Sequence, residues 1–150
     1  NTNSGVEREE FNSINNDVVS ARPSHPIILE SGDTIKGNLI GAGDNDVYVV
    51  VASGSTSKIS VRFRAAEWRW PGVNYEFSIL DSQGNVLTGS DGGEAKGECA
   101  NNGLCDSHSS GEGQVISAPI SAAGNYWIKV DAGNAARVPG NEYFVNVVLE

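Results

Sequence analysis

The chain has 150 residues and a formal net charge of −9 at neutral pH. This length suits one domain with a single core. A chain this acidic repels phosphate backbones, which argues against nucleic acid as a partner, and no apolar run is long enough to span a bilayer, which argues against a membrane protein.

The first residues, NTNSGVEREE, contain neither a methionine nor a signal peptide. We therefore expect a mature or excised piece of a longer secreted protein, extracellular and monomeric within that larger chain. Residues 1–25 are polar and acidic, and we interpret them as an extended segment that precedes the folded core.

Strand signals begin after this segment and follow one another along the chain. TIKGNLI and DVYVVVA supply the first two predicted strands. KISVRFR then alternates, with Ile59, Val61 and Phe63 on one side and basic or polar residues on the other. This period of two predicts a half-buried strand.

The second half of the chain repeats the pattern. YEFSILD, NYWIKVD and EYFVNVVLE alternate in the same way, which puts Trp127 and Lys129 on the outward side of their strand. DSQGNVL is a predicted turn with Gly84 and Asn85 at its centre. Pro119 limits QVISAPI to a sheet edge or a strand end, because proline cannot donate a ladder hydrogen bond.

Helical periodicity is nearly absent, and clusters of Gly, Asn, Asp and Ser separate the strands. Several short strands with turns between them predict an all-β fold, an antiparallel β-sandwich or jelly roll of about eight strands. We predict one domain over residues 1–150, with the N-terminal segment at 1–25 and the sandwich at 26–150. The stretch from Ser90 to Gly113 is long for a compact domain, and we interpret it as a loop.

Two cysteines, Cys99 and Cys105, lie close together in that stretch. A small disulfide between them fits an oxidising compartment and would restrict the loop. The alternative is a metal site with two thiolates, for which His108 is the nearby histidine. We favour the disulfide.

Residues that could carry catalysis are few. Neither histidine, His25 or His108, lies in a zinc-protease motif, and no G-x-S-x-G nucleophile elbow occurs. His108 stands beside Asp106 and Ser109, but neighbours in a loop rarely hold the geometry of a triad. We therefore predict that this domain is not an enzyme.

Acidic residues gather in VEREEFNSINND and in GAGDNDVYVV. Calcium takes carboxylate and amide oxygens as ligands, so these groups could hold an ion if the first segment crosses the strand that begins near Asp46. The alternative is that the first segment is solvated and that GDND is only a turn.

Five stretches, taken in order, resemble the bacterial pre-peptidase C-terminal domain, a family similar to the collagen-binding domains of clostridial collagenases. They are EEFNSINND, SGDTIKGNLIGAGDNDVYVV, YEFSILDSQGNVLT, ISAAGNYWIKVDAG and NEYFVNVVL, and they span the chain from about Glu10 to Leu149. The resemblance implies a jelly roll without chemistry of its own, an accessory module found at the C-terminus of secreted proteases and other hydrolases.

The resemblance also implies a calcium site where the acidic N-terminal segment meets the D-x-D strand. Four residues match the ligands of the family pattern: Glu10, Asn12, Asp44 and Asp46. Arg8 and Ser13 stand where the pattern has carboxylates, so two of its ligands are missing here.

Exposed aromatic side chains are the usual means by which such a module binds a protein fibre or a polysaccharide, because flat rings give a large contact area at low entropic cost. The candidates are Trp68, Trp70 and Trp127. Trp68 and Trp70 share a face if their segment is extended. The alternatives are a cation–π or strand-end cluster for that pair, and packing beneath the long loop for Trp127.

These observations predict a non-catalytic accessory or targeting domain of a secreted bacterial hydrolase, a protease, which binds extracellular protein or polysaccharide and is stabilised by calcium. A structural spacer or adhesin module that binds no small ligand is the alternative. A small enzyme on a jelly roll is the third class, and the lack of a convergent acid–base set counts against it.

Overall fold

The computed structural model describes residues 5–6, 27–38, 45–65, 75–99, 113–131 and 142–150. Within these ranges the regular secondary structure consists of strands, and no helix there is long and apolar enough to cross a membrane. The described strands are β1 (Gly5–Val6), β2 (Ile27–Leu29), β3 (Thr34–Asn38), β4 (Asn45–Ala52), β5 (Lys58–Ala65), β6 (Tyr75–Leu80), β7 (Lys96–Cys99), β8 (Gln114–Pro119), β9 (Gly124–Asp131) and β10 (Glu142–Leu149).

The strands form two five-stranded sheets. The first sheet has the order β1-β3-β10-β5-β8, and the second has the order β2-β4-β9-β6-β7. Two short edge strands pair in parallel, β1 with β3 and β2 with β4, and the other described pairs are antiparallel. The eight strands from β3 to β10 have the order of a jelly roll, β3-β10-β5-β8 in one sheet and β4-β9-β6-β7 in the other, which confirms the predicted fold class.

The side chains that face inward from the two sheets meet in one core. Ile59, Val61 and Phe63 are buried, as the alternation of β5 predicts. Phe63 stacks on Phe77 of the opposite sheet, with 4.8 Å between ring centroids, and on Tyr143 of its own sheet, with 5.3 Å. These aromatic contacts, added to burial of the aliphatic side chains, hold the two sheets together.

Two local predictions about turns and edges are confirmed. Pro119 is the last residue of β8, an edge strand of the first sheet, where its missing donor breaks no ladder. In the turn after β6, the Asp81 carboxylate accepts hydrogen bonds from the backbone N–H groups of Gln83 and Asn85, both at 2.9 Å. Gly84 has a φ of 86° in this turn, a conformation that favours glycine.

The interpretation of Ser90–Gly113 as one continuous loop is wrong at β7. This strand pairs antiparallel with β6, with Gly97 opposite Phe77. A Cβ on Gly97 would clash with the ring of Phe77, so the inward position of β7 requires glycine. The segment KGEC therefore shows no apolar alternation, and its sequence gives no strand signal.

Candidate functional site

An apolar row crosses the outer face of the second sheet at right angles to its strands. Ile28 of β2 pairs with Val49 of β4, Val49 pairs with Trp127 of β9, and Trp127 pairs with Leu80 of β6. The flanking positions on these strands face the core, so the four side chains point away from it together. We call Ile28, Val49, Leu80 and Trp127 the apolar row.

Trp127 lies near the middle of this row. It is on the outward side of β9, as predicted, and is half-buried. Its side chain belongs to a small cluster with Val47, Leu80 and Val86, separate from the main core. The indole N–H is buried and has no hydrogen-bond partner among the described residues, whereas a buried tryptophan N–H usually has one.

The row is buried at Val49 and at Leu80 and is open at Ile28, at the edge of the sheet. Val49 is 6% exposed and Leu80 4%, whereas Ile28 on the edge strand β2 is 45% exposed. Val51, two residues beyond Val49 on β4 and on the same face, is 51% exposed. The second sheet therefore presents an apolar contact surface beside Trp127, formed by Ile28 of the edge strand β2 and Val51 of β4.

Asp46 is the predicted calcium ligand that the structure describes; Glu10, Asn12 and Asp44 lie outside the described residues. Asp46 is near the start of β4 and is fully buried, facing the interior of the sandwich. The Tyr143 hydroxyl donates a hydrogen bond to Asp46 Oδ2 at 2.5 Å. The hydroxyl of Tyr143 has one proton, and this proton is directed to Asp46. The hydroxyl of Tyr48, 2.5 Å from Tyr143 Oη, is therefore the donor in the bond between the two tyrosines.

This buried network joins the two sheets at one end of the sandwich. Tyr48 and Asp46 come from β4 of the second sheet, whereas Tyr143 comes from β10 of the first. Gly37 of β3 leaves room for the hydroxyls, since a Cβ there would lie 2.5 Å from Tyr143 Oη and 2.8 Å from Tyr48 Oη. The structure thus gives Asp46 a packing role that the sequence analysis did not assign.

The position of Asp46 in the alternating pattern of β4 indicates its place in this buried network. Asp46 has the same parity as Tyr48, Val50 and Ala52, which all face the core. A carboxylate at an inward position of a buried strand needs hydrogen-bond donors, so a tyrosine partner could have been sought.

The remaining predicted site residues lie outside the described ranges. These are Trp68, Trp70, Cys105, and the side chain of Cys99, of which only the backbone is described at the end of β7. The disulfide therefore stays a prediction. In the part of the chain that is described, no three His, Cys, Asp or Glu side chains converge on a point that could hold a metal ion.

No family model matches this chain, and a search of curated proteins finds no match. The structure is similar to the crystal structure of the pre-peptidase C-terminal domain of a collagenase from Bacillus anthracis, with 22% sequence identity and a TM-score of 0.45 over 85% of this chain and 99% of that one. That domain belongs to the family that the five sequence stretches resemble.

Proposed function

We propose that this chain is a non-catalytic accessory domain of a secreted bacterial protease, and that it holds the enzyme close to extracellular protein or polysaccharide. A tethered binding module raises the effective concentration of the substrate without adding a catalytic contact. The order of the sequence motifs, which resembles a family of such modules, supports the accessory role. The observation that carries the binding role is the apolar row with Trp127 near its middle.

The exposed part of this surface suits a polymer that crosses the strands. Val49 and Leu80 are already buried, so a ligand would contact Ile28, Val51 and the half-buried Trp127 on three neighbouring strands, which are about 4.8 Å apart and together give a contact roughly 10 Å long. Trp127 supplies a flat ring, while Ile28 and Val51 supply exposed aliphatic surface beside it. A fibre or polysaccharide that covers them would bury this surface without any rearrangement of the sheet.

The proposal includes calcium, held by Glu10, Asn12, Asp44 and Asp46. The described ligand fits this role in its chemistry, because a carboxylate has about four lone-pair sites and can accept from Tyr143 while it coordinates an ion. Oxygen ligands of this kind are those that calcium takes. Calcium bound there would link the N-terminal segment to the start of β4 and stabilise the sandwich.

Depletion of the chain from solution by insoluble collagen fibrils and by insoluble neutral polysaccharide tests the binding role. Two valines that are each 51% exposed, Val51 on the second sheet and Val115 on the first, provide a matched pair of variants. We expect Val51→Ser and Trp127→Ala to reduce depletion, whereas Val115→Ser leaves it unchanged.

If neither solid depletes the chain, the binding role is wrong. A melting temperature that rises with calcium, found together with an absence of binding, would support the structural spacer or adhesin instead.

A further inference from the structure

The outer face of the first sheet carries a group of basic side chains. Arg62 and Arg64 lie on β5 and Lys36 lies on β3, all at outward positions. The register places Phe144 of β10 between Lys36 on one side and Arg64 on the other. We call the outward side chains of this region the basic face: Thr34, Lys36, Arg62, Arg64, Phe144 and Asn146.

The charge of this face is opposite to that of the whole chain. The chain has a formal net charge of −9, whereas the basic face contributes three cations. Among the described outward side chains of the first sheet, the one acid is Glu150, and it pairs with Lys58 at 3.1 Å. The positive charge of Arg62 and Arg64 is therefore not neutralised by a described acid on their own face.

Five residues of the basic face line an open groove of about 230 Å³: Thr34, Arg62, Arg64, Phe144 and Asn146. The guanidinium of Arg64 lies over the ring of Phe144, 5.1 Å from its centroid, which fixes its position. Asn146 Nδ2 donates to Thr34 Oγ1 at 3.0 Å and to the backbone oxygen of Asp33 at 3.1 Å, which orders the other wall. The side chain of Arg62 is exposed at the groove.

We propose that the basic face binds the anionic groups of an acidic polysaccharide. Arg62 and Arg64 are two residues apart on one strand, so their Cα atoms are about 6.6 Å apart and can serve two anionic groups of the same polymer. A guanidinium forms two parallel hydrogen bonds with a carboxylate or a sulfate. Thr34 and Asn146 line the same groove, and hydroxyl and amide groups such as theirs form hydrogen bonds with the hydroxyl groups of a sugar.

Two other polyanions fit this face less well. An acidic polypeptide brings backbone N–H and C=O groups that need partners, but β5 and β10 lie inside the sheet and use their own backbone groups in pairing on both sides. The net charge of −9 repels every polyanion, and the repulsion grows with the charge density of the polymer, so a duplex with one phosphate per about 1.7 Å of axis is disfavoured more than a polysaccharide with one carboxylate per sugar. The polysaccharide also brings no backbone N–H and C=O groups that need partners. The proposal is independent of the apolar row, which lies on the opposite face of the sandwich.

Affinity electrophoresis of the whole chain tests the proposal. Polygalacturonate is compared with its methyl ester, and dextran sulfate with dextran, so that the two arms distinguish carboxylate from sulfate. The double variant Arg62→Gln/Arg64→Gln is compared with Lys96→Gln/Lys129→Gln, which removes the same charge from the outer face of the second sheet.

We expect the arginine double variant to bind at least one acidic polymer about tenfold more weakly, and Arg62→Gln alone about threefold more weakly, with the lysine variant unchanged. Because the Arg62 side chain is exposed, the single variant keeps the test valid if the double variant folds poorly. The proposal is overturned if the uncharged polymers bind as tightly as the acidic ones, or if the lysine variant loses as much affinity. Tighter binding of polyglutamate than of either acidic polysaccharide would also overturn it, in favour of an acidic polypeptide.

Discussion

The substitution Tyr143→Phe removes one oxygen from the network that joins the two sheets. The ring remains, and with it the stacking on Phe63. The change deletes the hydrogen bond that Tyr143 donates to the buried carboxylate of Asp46 and the one that it accepts from Tyr48. The loss is therefore polar, with little change in packed volume.

The expected cost follows from the charge and burial of Asp46, which is fully buried. A hydrogen bond to a charged group contributes about 1.5–3 kcal/mol to the free energy of unfolding, and a neutral one about 0.5–1.5 kcal/mol. Tyr126→Phe is the matched control, because Tyr126 donates one bond to a neutral acceptor, the backbone oxygen of Ala122, at 2.6 Å. We expect Tyr143→Phe to cost about 1–2 kcal/mol more than Tyr126→Phe.

Urea unfolding of the two variants and the parent chain provides the measurement. The midpoint should fall for both variants with the same dependence of the free energy on urea, and it should fall further for Tyr143→Phe. If Tyr143→Phe costs no more than Tyr126→Phe, the cross-sheet network does not hold Asp46 as described, and the reasoning is wrong.

Three further predictions concern the same sandwich. Gly37→Ala would push its Cβ against Tyr143 and lower the free energy of unfolding by about 1–3 kcal/mol, as measured in urea, whereas an unchanged midpoint would contradict the packing described. Hydrogen bonds from Lys58 and then Ser60, together with the charge of Lys58, lower the pKa of Glu150, so this pair stabilises the fold above the ordinary pKa of glutamate and loses that effect as the pH falls through the lowered value. Lys58→Met should raise the pKa of Glu150 in an NMR titration, and a constant pKa would show that the pair does not form in solution. Removal of calcium with a chelator should lower the melting temperature of the parent chain, and in Asp44→Asn most of this difference between the calcium-bound and calcium-free samples should be lost. A melting temperature that is the same with and without calcium would refute the site.

The seven strands that were predicted from the sequence, β3 to β6 and β8 to β10, have five to eight residues each, and apolar side chains at inward positions mark them. In β5, the apolar residues Ile59, Val61 and Phe63 alternate with polar ones, and this local pattern is enough to predict the strand. The edge strands β1, β2 and β7 have two to four residues each, and pairing with a neighbour is what makes them strands. Such pairing depends on the whole fold, so a short window of sequence cannot reveal it.

The site was predicted in part for a similar reason. The outward direction of Trp127 follows from local parity, but its neighbours in the apolar row come from β2, β4 and β6 and are set by the order of strands in the sheet. Asp46 and Tyr143 are 97 residues apart, and nothing local connects them. Sequence patterns thus give the face on which a residue lies, whereas the topology gives its partners.

The central claim is that the outer face of the second sheet binds an extracellular polymer. Titration of the ¹⁵N-labelled chain with a soluble triple-helical collagen-like peptide, and separately with a neutral oligosaccharide, tests this claim residue by residue. We predict that one of these ligands shifts the amide signals of Ile28, Val49, Val51 and Trp127, together with the indole N–H signal of Trp127. Shifts confined to the first sheet, or no shifts with either ligand, would contradict the claim.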